Sequence, residues 1–248
     1  MSEGQIRYES DDGIALITID RPTKRNALTS AMCAELHAAW QRFAASDDAR
    51  VAILTGAGDD IFTAGADLND PPPQFWQAVP NIGVPVSKPI ITAVSGAVIG
   101  AGVTMVAMSD LCVAAANTRF IYPEAKVGVA LGLVSSIATR IPQKLAMELL
   151  LLGDAVSAER AYQGGLVNRV VPAGQQVEVA KEMARTIAAN APLVVGMLKN
   201  MVLDTIPRSA VEEMYHTQRK INRVLQSEDA KEGPLAFREK RAPQFRGR

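Results

Sequence analysis

A chain of 248 residues, 48% hydrophobic and 21% charged, has the balance of a globular protein and the length for one large domain or a domain with an appendage. Its 26 basic and 26 acidic side chains cancel, which argues against a general nucleic-acid or membrane-surface binder and leaves room for a local basic patch that grips a small anion. Two cysteines, Cys33 and Cys112, exclude a disulfide framework, no Cys/His cluster suggests zinc, and Met1-Ser2-Glu3-Gly4-Gln5 lacks a basic-then-apolar signal pattern, so a reducing cytoplasm is expected.

In chain order, the alternation of Ile14 to Ile19 predicts a strand. Gln5 to Glu9 is its hairpin partner across an Asp11-Asp12-Gly13 turn. Thr29 or Ser30 caps a helix that places Met32, Leu36, Trp40 and Phe43 on one face. Val51 to Thr55 is a short apolar strand, and Ile90 to Val94 and Leu111 to Ala115 are two more. Helices are expected near 102–109, 134–151, 157–163, 175–189, 192–203, 208–227 and 229–239. Strands alternate with helices to about residue 170 and the rest is helical, which predicts an α/β core over 1–190 and a helical region over 191–248. The Pro-rich run 69–85, with Phe75 and Trp76, reads as a surface loop or as a lid over a site. Pro89 to Ser109 carries no charge and is long enough to span a bilayer, but its proline and glycines suit a buried strand, a turn and a buried helix better.

Much familiar chemistry is missing. His37 and His216, the only histidines, fall in predicted helices far from any Gly-rich turn, and there is no GxSxG elbow or GxxxxGK[ST] phosphate loop. Gly96 to Gly102 reads G-x-x-x-G-x-G, the reverse of a dinucleotide fingerprint. A small-residue turn that opens a helix nonetheless exposes backbone N–H groups where the helix dipole favours negative charge. A second such turn runs from Phe62 to Asp67. Two turns, each aiming one N–H at the same carbonyl oxygen, would make an oxyanion hole.

At these residues the chain resembles a family. Asp20-Arg21-Pro22 with Asn26-Ala27-Leu28, the turn Ala64-Gly65-Ala66-Asp67-Leu68, and Lys88-Pro89 through Gly96 to Gly100-Ala101-Gly102 are similar to blocks of the crotonase (enoyl-CoA hydratase/isomerase) superfamily. So are Phe120-x-x-Pro123-Glu124-x-x-x-Gly128, the late stretch from Leu151-Leu152-Gly153-Asp154 to Gly165-Leu166-Val167-Asn168, and the tail Ala236-Phe237-x-Glu239-Lys240-Arg241. The resemblance covers nearly the whole chain in order.

It implies a crotonase-like spiral of ββα units with a helical C-terminal trimerisation region, assembled as a homotrimer or hexamer. It implies an acyl-CoA substrate, no separate cofactor and no metal, with no membrane or nucleic-acid partner. The thioester oxygen would be held by the N–H groups of Ala66 and Ala101, with Glu124 as the proton-transferring carboxylate. Substrate contacts would come from Ala27, Ala64, Gly65, Asp67, Leu68, Gly100, Thr104 and Leu131, from Phe75 and Trp76 around the acyl group, and from Phe237 and Lys240 at the nucleotide end. The chain also departs from the pattern. Ala101 replaces the usual glycine, Thr104 stands where hydratases carry a first glutamate, and the run from Gly128 to Ser135 is altered. One carboxylate suffices to shuttle a proton between carbons, so double-bond isomerisation is the expected reaction. The alternatives are hydration by a single glutamate and a non-catalytic CoA- or RNA-binding protein, the latter through the tail arginines.

Overall fold

The computed structural model describes residues 4–128 and 133–248, and its long strands coincide with the apolar runs of the sequence. β1 (Gln5–Asp11) and β2 (Ile14–Asp20) form an antiparallel hairpin. Asp12 and Gly13 both take positive φ at its tip, as a tight hairpin turn requires. A 3-10 turn at Pro22–Lys24 leads to α1 (Ser30–Ala45), capped by Thr29, whose side chain accepts from Met32 N. Met32, Leu36, Trp40 and Phe43 form its buried face, as the spacing predicts.

From here the chain repeats one pattern. A long strand enters a main sheet, a short strand enters a second sheet, and a helix or an inserted segment follows. The pairs are β3 (Val51–Gly56) with β4 (Ile61–Thr63), β5 (Ile90–Val94) with β6 (Ala97–Ile99), and β7 (Leu111–Ala115) with β8 (Arg119–Ile121). The helix after β6 is α2 (Ala101–Met108) and the helix after β8 is α3 (Glu124–Val127). Then come α4 (Gln143–Met147), β9 (Val156–Ser157), α5 (Ala158–Gln163), β10 (Arg169–Val171), α6 (Gln176–Ala188) and α7 (Pro192–Thr205).

The six-stranded sheet has the order β1-β2-β3-β5-β7-β10, parallel from β2 onward, and the four-stranded sheet has the order β4-β6-β8-β9. Val51, Ile53, Ile91, Ala93 and Val113 face Ala180 and Ala184 of α6, and the alternate residues Ala52 and Leu54 are equally buried on the opposite face. A parallel sheet covered on both sides reads as continuous apolar sequence, which these strands do. This is the α/β spiral of ββα units that the resemblance implies.

Two expectations need correction. Residues 134–151 are not one helix. Pro142 denies the ladder an N–H and disfavours helix in the residue before it, so the stretch breaks into a 3-10 segment (Leu133–Thr139), α4, and a π-helical turn (Glu148–Leu152). The 69–85 run is not a surface loop throughout: Phe75, Trp76, Ala78, Val79 and Ile82 are buried. It is pinned to α1 by Trp40 Nε1, which donates to Ala78 O at 2.8 Å, and His37 Nδ1 lies 3.1 Å from Gln77 O. The charge-free stretch Pro89 to Ser109 divides among β5, β6 and α2, a buried strand, a turn and a buried helix as expected, and among the described residues no single helix is long and apolar enough to cross a membrane.

The chain divides into two compact units between Ser209 and Ala210. In the second, α8 (Ala210–Leu225) and α9 (Glu228–Glu239) pack on each other, with Ser227 capping α9.

Candidate active site

The short sheet builds the site. β4, β6 and β8 are adjacent and parallel, with Thr63 opposite Val98 and Ile99 opposite Ile121. Their carboxyl ends therefore lie side by side. The chain leaves β4 through Ala64-Gly65-Ala66, leaves β6 through Gly100-Ala101, and leaves β8 through Tyr122-Pro123-Glu124. Segments separated by 20 to 40 positions in sequence converge because the three short strands are neighbours, as ligand sites do at carboxyl ends in open α/β sheets.

The first turn is held by the N-terminal signature. Asn26, fully buried in a left-handed conformation, donates from Nδ2 to Ala57 O and Ile61 O at 3.0 Å each, and its Oδ1 accepts from Arg21 N at 2.9 Å. Thr63 Oγ1 donates to Asn26 O at 2.6 Å and accepts from Gly65 N at 3.0 Å. Ala64 N donates to Arg25 O, Leu28 N to Gly65 O, and Asp67 N to Leu28 O, at 2.8–2.9 Å. The backbone groups around Ala66 are thus spent on residues 25–28, while no acceptor for the Ala66 N–H is seen among the described residues.

Asp67 is also committed. Arg21 Nη1 lies 2.6 Å from its Oδ2, and this bond, with the Asn69 N–H, holds the carboxyl below its usual range. Asp70 accepts from Ser30 N and Ser30 Oγ at 2.8 Å each. Both carboxylates serve the frame of the turn.

The second turn meets the first. Gly65 has φ of +87°, and a Cβ there would stand 3.1 Å from Ile99 O and 3.2 Å from Ala101 N. A Cβ on Gly102 would stand 2.7 Å from Thr63 Cγ2. At Gly65 a left-handed backbone passes close to a second backbone, which favours glycine, while at Gly102 the small size is set by the Thr63 side chain packed against it. Ala101 opens α2, so its N–H has no acceptor within the helix. All eight residues of α2 are buried, including Thr104, which lies on the Ala101 face one turn along. Gly100 N donates to Ile121 O at 2.9 Å and so fixes this turn to the end of β8.

Glu124 is the first residue of α3 and is half-buried. Of the cations near it in sequence, Lys126 pairs with Asp154 at 2.7 Å, and Arg119 donates to Thr118 O at 2.9 Å. Burial, and then the neighbouring Glu124 carboxylate, push the Tyr122 phenol above its usual value. Nothing in the spacing of Phe120-x-x-Pro123-Glu124 draws attention to Tyr122, since it occupies an open position of that block.

The structure thus gathers Ala64, Gly65, Ala66, Gly100, Ala101 and Glu124 at three neighbouring strand ends, with Ala27, whose carbonyl accepts from Arg21 Nη1 at 3.1 Å, and Asp67 behind the first turn. Leu68 follows that turn and is 77% exposed. Phe75 and Trp76 are buried in the segment packed on α1. Leu131 lies outside the described residues. Phe237, 86% exposed, and Lys240, which ends α9 with positive φ, belong to the second unit. Donors for an oxyanion beside one carboxylate suit the formation and reprotonation of an enolate.

Comparison with known proteins agrees. The pattern of the family described as Enoyl-CoA hydratase/isomerase matches residues 9–248. The chain is 37% identical over 248 residues to a carnitinyl-CoA dehydratase of Proteus mirabilis (strain HI4320), covering 94% of each. It is 34% identical over 253 residues to an (E)-benzylidenesuccinyl-CoA hydratase of Thauera aromatica, covering 98% of this chain and 99% of that one. Among solved structures, that of a carnitinyl-CoA hydratase from Mycobacterium avium superposes with a TM-score of 0.75 at 36% identity, covering 98% of both chains.

Proposed function

The chain belongs to the enoyl-CoA hydratase/isomerase, or crotonase, family and is an enzyme of CoA thioesters, and from that premise we propose that it adds water reversibly across the α,β double bond of an acyl-CoA. The observation that carries the proposal is the convergence of the Ala66 and Ala101 turns with Glu124 at the ends of β4, β6 and β8. The relatives cited are named for dehydration and hydration, which favours lyase chemistry over the isomerisation expected from a lone carboxylate.

One carboxylate can serve. In the dehydrating direction Glu124 takes the α-proton as the C–H bond breaks, and the electron pair moves into the thioester. The Ala66 and Ala101 N–H groups hold the resulting enolate oxygen. The enolate then expels the β-hydroxyl, which takes the proton from Glu124 and leaves as water. The carboxylate is regenerated, and proton and leaving group are handled from one face. Hydration is the reverse. Thr104 cannot act as a carboxylate would, but its hydroxyl suits holding the water. Each N–H donor contributes about 10²–10³-fold to turnover in sites of this kind, and a positioned base about 10²–10⁴-fold.

The substrate adenosine phosphates are assigned to Phe237 and Lys240 of a neighbouring subunit, and the acyl group to the neighbourhood of Phe75 and Trp76. We assign assembly into a trimer, or a hexamer of two trimers, to the helical region 191–248. Support comes from α7, which has no buried residue and exposes Leu193, Met197, Leu198 and Met201. Rates on crotonyl-CoA and on a 3-enoyl-CoA test the reaction. Hydration of the first should exceed isomerisation of the second; the opposite order would return the enzyme to the isomerases.

A further inference from the structure

We infer that the tail 241–247 is a brace for the nucleotide end of the site, with Glu232 as its positioning residue: it locks the last turn of α9 so that Phe237 and Lys240 are held ready for the adenosine phosphates. The inference rests on the assignment of those two residues given above.

α9 has a weak joint. Gly233-Pro234 lies at its middle, where glycine adds backbone freedom and proline brings no N–H to bond Ala230 O. Phe237 and Lys240 lie beyond the joint, and both are exposed. Lys240 ends the helix with φ of +54°, the left-handed conformation that helix ends usually give to glycine. A lysine sits there although the conformation costs it more than it would cost glycine. Its N–H and that of Arg241 close the helix onto Phe237 O and Ala236 O, at 3.3 and 3.1 Å.

The tail bridges the joint. Arg241 leaves the far end of the helix and reaches back to Glu232 on the near side, with Nη1 2.5 Å from Oε1 and Nη2 3.0 Å from Oε2. Gln244 N donates to the same Oε1 at 2.8 Å. Asp229, in the first turn, accepts from Arg246 N at 2.6 Å and from Gly247 N at 2.8 Å. Phe245 lies over Gly233, where a Cβ would stand 3.7 Å from its Cε1. A single exposed ion pair holds little. Here a bidentate fork and three backbone N–H groups converge on two carboxylates, so the contacts act together. To swing Phe237 and Lys240 about the joint, the helix must first give up the bonds to Glu232.

The sign of one substitution separates bracing from simple charge. Loosening the brace lets the last turn sample other arrangements, and affinity falls with the fraction that stays competent. Electrostatics alone predicts the opposite, since deleting a carboxylate near a phosphate site favours the anion. The experiment is calorimetric titration of the assembled full-length enzyme with coenzyme A. Glu232→Gln should weaken binding about threefold to tenfold, as when the competent fraction falls to about a third or a tenth. With crotonyl-CoA the loss should appear in the Michaelis constant and not in turnover at saturation, because Glu232 touches none of the groups assigned to the reaction. Adding Pro234→Ala, which returns the missing N–H, should recover most of the lost affinity. Coenzyme A bound by Glu232→Gln as tightly as by wild type, or more tightly, would overturn the inference, whatever the melting temperature. So would a loss that Pro234→Ala leaves undiminished. Should Glu232→Gln fail to fold, the same comparison is made on Asp229→Asn. Lys240→Ala is measured alongside. If it leaves affinity unchanged, the assignment beneath has failed; if it weakens binding while Glu232→Gln does not, only the brace falls.

Discussion

The pairing of Arg21 with Asp67 shows how a frame residue becomes a functional one. Their side chains are 14% and 13% exposed and meet at 2.6 Å, and Arg21 also donates to Ala27 O. Asp67 follows Ala66, the donor proposed above, so the ion pair fixes the turn that carries it. A hydrogen bond to a charged, mostly buried group contributes about 1.5–3 kcal/mol. Because the folded Asp67 carboxyl lies below its ordinary range, its contribution is complete above the unfolded value, about 3.9, and is lost as pH falls through the folded value. We therefore expect Arg21→Gln to lower the melting temperature at pH 7 and the gap from wild type to close as pH drops below about 4, near the unfolded carboxyl value. A gap that stays constant from pH 7 to pH 3 would show that Asp67 is not the group involved. The partners of this network were legible only as quoted motif letters. Asp20-Arg21-Pro22 and Asn26-Ala27-Leu28 mark a resemblance, but no local rule says that Asn26 reaches Ala57, Ile61 and Phe62.

At the scale of elements, what was legible was whatever is long enough to show a period. α1 and the main-sheet strands declare themselves through apolar spacing, and their packing follows. β4, β6, β8 and β9 are two or three residues long, too short for alternation, yet they bring the site together. The two small-residue turns were visible as turns, while their contact depends on the β4–β6 pairing that sequence hides. A second hidden tie fastens α7 within the first unit. Lys199 Nζ reaches Asp110 Oδ2 at 2.8 Å, Asn81 Oδ1 at 2.9 Å and Lys88 O at 2.9 Å, while Asp110 also accepts from Ile90 N at 2.7 Å. Burial pushes Lys199 down and Asp110 up, each toward its neutral form, and their contact opposes both. Removing one member strands the other without its partner, which costs about 3–5 kcal/mol, whereas removing both costs less. Lys199→Met should thus be strongly destabilised in urea titration and Lys199→Met with Asp110→Asn less so; additive losses would contradict a coupled pair.

At the scale of the whole molecule, α7 exposes Leu193, Val194, Met197, Leu198, Met201 and Val202, and a contiguous exposed apolar face marks an interaction site. Light scattering should give three or six times the chain mass of 26.5 kDa, and Leu198→Lys with Met201→Lys should reduce it toward one. A wild-type monomer would remove assembly from the account. Of the tail arginines considered for RNA, Arg241 pairs with Glu232 and Glu239, and Arg246 and Arg248 with Glu228, which offsets part of the charge a phosphate backbone would meet. Arg241 holds Glu232 down to about 2, so this pair persists through the neutral range. The central claim concerns one proton. Crotonyl-CoA incubated in D2O with the assembled enzyme should yield the hydrated thioester carrying deuterium at the α-carbon, read by mass spectrometry, and Glu124→Gln should lose this product about 10²–10⁴-fold. Deuterated product formed at the wild-type rate by Glu124→Gln would contradict the account.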